Sequence, residues 1–335
     1  MMNYEIFKGI VQEKILNYMG PEYANAIVDI ETVQKVNQQM DALIIRNQDD
    51  KISVSLYVNE MYKQYLKSED LQEVMMDAVR VYKEAMENKP VQYEQLDFEG
   101  IRENVVFSLV NTEQNKELLE NVMHREFQDM SIIYRWIINT EKEGIASTMI
   151  TNRLAENVGI SEQELYELAM ENTPRILPIK VVPLQDMIMD MFCRDSGMSR
   201  EEVEQMGFAT FGDPSENDTV WVVSNEQGIN GASSILLKDE MAKVAERAGS
   251  DLYLLPSSVH EMLAVSTSFG EPEMFAEMVQ DVNMTTVSLE ERLSNNVYLY
   301  DRDTRSISMA TDVPNRAIGD VVAEEPMHYE DGPIR

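Results

Sequence analysis

The block Pro256-Ser257-Ser258-Val259-His260-Glu261 puts two hydroxyls, an imidazole and a carboxylate within six residues, directly after the apolar run Asp251-Leu-Tyr-Leu-Leu255. α/β proteins place their sites at the C-terminal ends of strands. There Ser257 or Ser258 reads as a nucleophile and His260 as its base, with Asn230 of the Asn230-Gly231 turn as an accessory polar group. Sequence neighbours rarely form such a triad, because its members must converge from separate segments. The same residues also fit S-x-x-E, a capping box in which the Ser oxygen and the Glu carboxylate satisfy exposed helix N–H groups. That spacing recurs at Ser161–Glu164, Ser199–Glu202 and Ser288–Glu291. Recurrence at expected helix starts makes helix punctuation the preferred reading of Ser258 and Glu261. It leaves His260 in a first helical turn as the best-placed titratable group. The catalytic candidates are therefore His260, Ser257, Ser258 and Asn230, and none is assigned a role.

Metal and cofactor chemistry has less support. His260-Glu261 opens like H-E-x-x-H, but position 264 is Ala. Only His124 and His328 could add imidazoles, and His124 reads as a surface histidine. The single cysteine, Cys193, excludes an intramolecular disulfide and a Cys-cluster metal site, and reads as a small buried hydrophobe. A carboxylate-rich Mg²⁺ or Ca²⁺ site stays open as an alternative, without EF-hand spacing to support it. Neither G-x-G-x-x-G nor a Walker loop occurs. No cofactor and no metal is expected.

The elements that must position these residues can be read from periodicity. Residues 4–19 predict a helix stopped by Gly20-Pro21, followed by strands at 26–33, 42–46 and 52–58, with Asp49-Asp50-Lys51 as a hairpin turn. Helices follow at 60–66 and 71–87. A middle region predicts strands at 105–110, 130–138 and 175–182, the last an edge strand by its prolines. Its helices lie at 113–122, 149–158, 161–171, 185–192 and 200–206. Further on, strand 220–223 leads through the Asn230-Gly231 turn into a returning strand at 232–237. Helix 238–248, strand 251–255, helices 259–264 and 272–282 and a hairpin of 297–300 with 306–309 complete the pattern, Asp301-Arg-Asp303 being its turn. The fold class is mixed α+β, with two or three lobes of small mixed or antiparallel sheets flanked by helices. The lobes are 1–92, 93–210 and 211–310, with 311–335 a mobile tail.

Composition bounds the partners. The 335 residues carry 60 Asp+Glu against 28 Lys+Arg, a net charge of −32. Residues 201–335 hold eight Lys+Arg and 26 Asp+Glu, net −18. Such a surface repels nucleic acid and anionic lipid and attracts a basic protein. No apolar run is long enough for a membrane span, and the start lacks a signal-peptide pattern, so a cytoplasmic protein is expected. The 24 Met include runs such as Met75-Met76 and Met187-Ile-Met189-Asp-Met191, which read first as core filling and second as an adaptable binding groove.

Several phrases form a further pattern: Trp221-Val-Val-Ser-Asn225 with Asn230-Gly-Ala232, Asp251 through Glu261, Met278-Val-Gln-Asp-Val-Asn283, and Glu290 through Asp301. Leu109-Val-Asn111 and Leu168-Ala-Met-Glu-Asn-Thr173 fit with them. Together they resemble a family of uncharacterised proteins of unknown function from anaerobic gut Clostridia, over the chain to about residue 310. The resemblance implies a bacterial, cytoplasmic protein and supplies no catalytic residues. Three functions stand: a non-enzymatic binding protein with a basic protein partner, an enzyme built on the Pro-Ser-Ser-Val-His-Glu block, and an acidic decoy that imitates DNA.

Overall fold

The computed structural model describes residues 2–46, 54–87, 98–141, 144–205 and 219–315. The chain divides into two compact units, Met1–Asp97 and Phe98–Arg335. The lobes expected at 93–210 and 211–310 both fall largely within the second.

The first unit contains helix α1 (Tyr4–Lys14), strands β1 (Ile27–Lys35), β2 (Gln38–Arg46) and β3 (Ser55–Tyr57), and helices α2 (Val58–Ser68) and α3 (Leu71–Glu87). Its strands form an antiparallel sheet in the order β1-β2-β3. Asn37, with φ 61°, makes the tight β1–β2 turn, a backbone region that Asn tolerates better than most residues. The turn expected at Asp49–Lys51 lies outside the described residues. Phe7, Val11, Leu43, Ile45, Met75 and Tyr82 are buried together, and each such side chain removed from water contributes about 1.5–3 kcal/mol.

The second unit begins with α4 (Phe98–Asn104), β4 (Val105–Asn111), α5 (Lys116–Leu119), β5 (His124–Phe127), β6 (Met130–Glu141) and β7 (Gly144–Met149). Strand β6 pairs β4 on one side and β5 and then β7 on the other. Next come α6 (Asn152–Val158), α7 (Glu162–Ile176), β8 (Ile179–Pro183), α8 (Leu184–Ser196), α9 (Arg200–Gln205) and β9 (Trp221–Asn225). Then follow α10 (Lys238–Ala248), β10 (Leu252–Ser258), β11 (Glu261–Ser266), α11 (Pro272–Thr285), β12 (Tyr298–Asp301) and β13 (Ser306–Met309). These strands make an antiparallel sheet ordered β13-β12-β10-β11-β9-β8. Strand β8 is an edge, as Pro183 requires, since proline cannot donate to a further neighbour. Phe107, Tyr134 and Trp136 from the first of these sheets share one core with Trp221, Leu254, Met262 and Tyr298 from the second. The mixed α+β class is therefore the observed one, with three small antiparallel sheets.

Several expected elements change type. Residues 259–264, expected as a helix, contain the turn into β11, whose residues pair β10 and β9. Residues 232–237, expected as a strand, instead form most of a buried 3-10 helix over Gly231–Leu236. Both stretches are only six residues long, too short for periodicity to choose between helix and strand. Residues 175–176 close α7 rather than open a strand, and α6 begins at Asn152 because Thr151 caps it. Strands β5 and β7 have no counterpart in the sequence-based expectation.

Residues Thr311 to Asn315 pack back on the second unit: Ala310 and Thr311 donate from their N–H groups to Val297 O, and Asn315 is buried. No helix among the described residues is long and apolar enough to cross a membrane.

Candidate functional site

Three chain segments converge on His260. The first is the loop after β9. Asn225 is buried, and its Oδ1 accepts from the N–H groups of Gln227 (3.1 Å) and Ile229 (3.3 Å), while its Nδ2 donates to Ile229 O at 2.8 Å. One amide side chain thus folds the loop and delivers Asn230 in the left-handed region, φ 53°. The Asn230 N–H donates to His260 Nδ1 at 3.1 Å. The second segment is the β10–β11 turn, where Ser258 Oγ accepts from the His260 N–H at 3.0 Å and His260 O accepts from Ser224 Oγ at 2.7 Å. The third is the chain before β12: Val259 N donates to Glu291 O at 2.8 Å, and Glu291 Oε1 lies 3.5 Å from His260 Nε2.

The sequence candidates Asn230 and His260 therefore meet across 30 residues, with Ser258 beside them. With Nδ1 accepting from Asn230, Nε2 is the ring nitrogen on the Glu291 side, 3.5 Å from its carboxylate. Activating a serine requires its hydroxyl to donate to the imidazole. Here Nδ1 is taken by the Asn230 N–H, Ser257 Oγ donates to Glu261 Oε1 at 2.9 Å, and Ser258 Oγ serves a backbone amide. The imidazole is a clasp joining three segments in this geometry. Among the described residues, no group of three or more His, Cys, Asp or Glu could hold a metal ion.

The four S-x-x-E spacings separate into different structures. Ser161 Oγ accepts from Glu164 N and caps α7. Ser199 and Glu202 make the full reciprocal box: Ser199 Oγ accepts from Glu202 N, and Glu202 Oε2 accepts from Ser199 N. Backbone and side-chain donors of Ser199 hold the Glu202 carboxyl below the usual range. Ser288 precedes a single 3-10 turn and makes no side-chain cap bond. Ser258 and Glu261 flank a strand turn, so the capping box expected there is replaced by a hairpin. His124 lies half-buried on β5 with Nδ1 near Val122 O, and Cys193 is half-buried on α8 rather than fully buried. Asp301 does the expected turn work, accepting from Thr304 N at 2.7 Å.

Sequence reasoning missed Ser224 and Glu291 at the clasp. Glu291 is 31 residues from His260, and no local pattern links them. It also missed the outer face of α11, whose signal was legible. Phe275, Ala276, Val279 and Asn283 face inward. Glu273, Glu277 and Asp281 form one exposed row at i, i+4, i+8, and Met274, Met278 and Val282 form the adjacent row. The helix carries no basic residue. The three carboxylates form no ion pair among the described residues.

No curated protein and no solved structure matches the chain. A sequence family described only as of unknown function, DUF5688, matches residues 4–302, across both compact units and through β12. The chain belongs to that family.

Proposed function

We propose that the chain is a non-enzymatic interaction protein that binds a cationic protein partner in the cytoplasm. The carboxylate row of α11 carries this reading. Glu273, Glu277 and Asp281 are exposed, lie about 6 Å apart along the axis, and have no cation on their own helix. Uncompensated like charges at i, i+4 destabilise a helix slightly, and a cationic ligand relieves that cost. The clasp geometry supports the same reading, because His260 Nδ1 is taken by the Asn230 N–H, Ser257 Oγ donates to Glu261, and Ser258 Oγ accepts from a backbone amide. A cytoplasmic setting fits a chain with a single cysteine.

The decoy reading is weaker for a specific reason. A phosphate track is flanked by sugars and polar edges, whereas the α11 carboxylates border exposed Met and Val side chains. Calorimetric titration with oligo-lysine and oligo-glutamate at low and high salt tests the proposal. Binding of oligo-lysine alone, weakening steeply with salt, is expected. Equal heats for the two polymers, or none at low salt, would refute it.

A further inference from the structure

We infer that the outer face of α11 is a docking surface for a basic amphipathic helix of another protein. This deepens the reading above and rests on it. The argument begins with the second row. Met274, Met278 and Val282 are 47%, 56% and 44% exposed, on a helix whose inner face is already fully used against the sheet. Large apolar side chains aligned at i, i+4, i+8 and left in water mark recognition surfaces rather than solvent faces. Two of the three are methionine, which adapts its shape to a partner at small conformational cost. Phe269, in the 3-10 turn before α11, is a further large apolar side chain left 39% exposed.

The acidic row decides the occupant. It lies one residue back from the apolar row throughout, so the two run side by side for the length of the helix. A partner must therefore present an apolar stripe beside a basic one, with the same repeat. An amphipathic helix with Lys or Arg bordering its apolar face has that pattern. The surroundings favour the same sign: Glu271 and Glu273 both act on the Tyr253 phenol, which desolvation and these charges push up from its ordinary value. The other occupants carry the wrong charge. Residues 316–335 hold five acids against two arginines, and a second copy of α11 brings the same three carboxylates and no cation.

The test uses the full chain and a fluorescein-labelled Leu/Lys amphipathic peptide about five turns long, followed by anisotropy. Its controls are a Leu/Glu peptide of the same pattern and a scrambled Leu/Lys peptide. Two variants remove one row each, Met274→Ser with Met278→Ser, and Glu273→Gln with Glu277→Gln and Asp281→Asn. All five positions are exposed, and circular dichroism checks that both variants keep the native helix content. Each variant is expected to weaken the Leu/Lys peptide about tenfold or more, and the carboxylate variant alone is expected to flatten the salt dependence. Binding unchanged in both variants would overturn the α11 site while leaving a cationic partner in place. An effect confined to the carboxylate variant, or equal affinity for the scrambled peptide, would overturn the amphipathic helix. Self-association lost in Met274→Ser/Met278→Ser would make the face homotypic and overturn the proposal. Failure of every basic peptide at low salt would overturn both readings together.

Discussion

At the scale of single residues, the second unit places unusual demands on position 231. A Cβ on Gly231 would meet Ser224 Oγ at 2.2 Å, His260 O at 2.5 Å and Asn225 N at 2.9 Å. Two of those atoms are backbone and cannot rotate aside. Gly231→Ala is therefore expected to destabilise the protein by about 1–3 kcal/mol, in line with overpacking, read as a lower urea midpoint. An unchanged midpoint would mean that the clasp is looser than its distances indicate. Glu162 makes a different kind of demand. Arg125 donates to its two oxygens at 2.9 and 2.8 Å from Nε and Nη2, and the Tyr134 hydroxyl donates as well. Burial alone raises the Glu162 carboxyl, but these donors and the Arg125 charge outweigh it and hold the group below its usual range. A carboxyl lowered in the folded state contributes stability that is complete above its unfolded value, about 4.3, and is lost as pH falls through the folded value. Glu162→Gln should cost about 1–2 kcal/mol at neutral pH. The gap from wild type should narrow as pH drops below about 4.3, measured by denaturant unfolding across the acid range. A gap constant with pH would show that Glu162 acts through shape rather than charge.

At the scale of elements, one four-residue spacing gives different outcomes, and stability should sort them. Ser161 Oγ accepts from Glu164 N at the start of α7, so Ser161→Ala should cost about 1 kcal/mol. Ser288 makes no side-chain cap bond before its 3-10 turn, so Ser288→Ala should be close to neutral. Equal losses in thermal unfolding would contradict this division. The spacing was legible in the sequence, but its meaning depends on the element that the next residues build. After Ser161 come fifteen residues of continuous helix. After Ser258 comes Glu261–Ser266, whose main chain is claimed on both sides by β10 and β9. Amphipathic helices such as α10, with Met241, Val244 and Ala245 buried and Gly249 at φ 68°, were readable because their period and their cap are local. The 3-10 helix at Gly231–Leu236 was not. All six of its residues are buried, so it has no polar face to reveal a period. The clasp was half legible for the same reason: Asn230 and His260 stood out by type, whereas Glu291 arrives through a fold-level contact that no neighbouring residue announces.

At the scale of the whole molecule, one carboxylate between the two sheets of the second unit gathers donors from several segments. Asp129, in the turn between β5 and β6, accepts from Ser294 Oγ at 2.7 Å, Asn296 Nδ2 at 3.0 Å and Asn315 Nδ2 and Tyr298 OH, both at 2.5 Å. The four donors come from the approach to β12, from β12 itself and from the segment after β13. The amides are then used twice. Asn296 Oδ1 accepts from Val313 N and from Thr311 Oγ1, and Asn315 Oδ1 accepts from Asn295 N. The Tyr298 phenol, fully buried and next to Asp129, is pushed well above its ordinary value by desolvation first and by the carboxylate second, so it remains a donor. This arrangement explains why Ser294-Asn295-Asn296, a polar run directly before a core strand, is buried at no more than 3% exposure. Asp129→Asn keeps the shape but turns one accepting oxygen into an N–H donor facing other donors. It should cost about 2–3 kcal/mol, because the amides of Asn296 and Asn315 cannot reorient without giving up Val313 and Asn295. Hydrogen exchange should locate the loss: the Val313 and Asn295 amides are expected to exchange faster in Asp129→Asn, while Ile44 and Leu43 on β2 of the first unit keep their protection. Uniform acceleration across both units would show that stability is shared over the chain. Unchanged exchange at Val313 would show that Asp129 is not what holds the segment after β13.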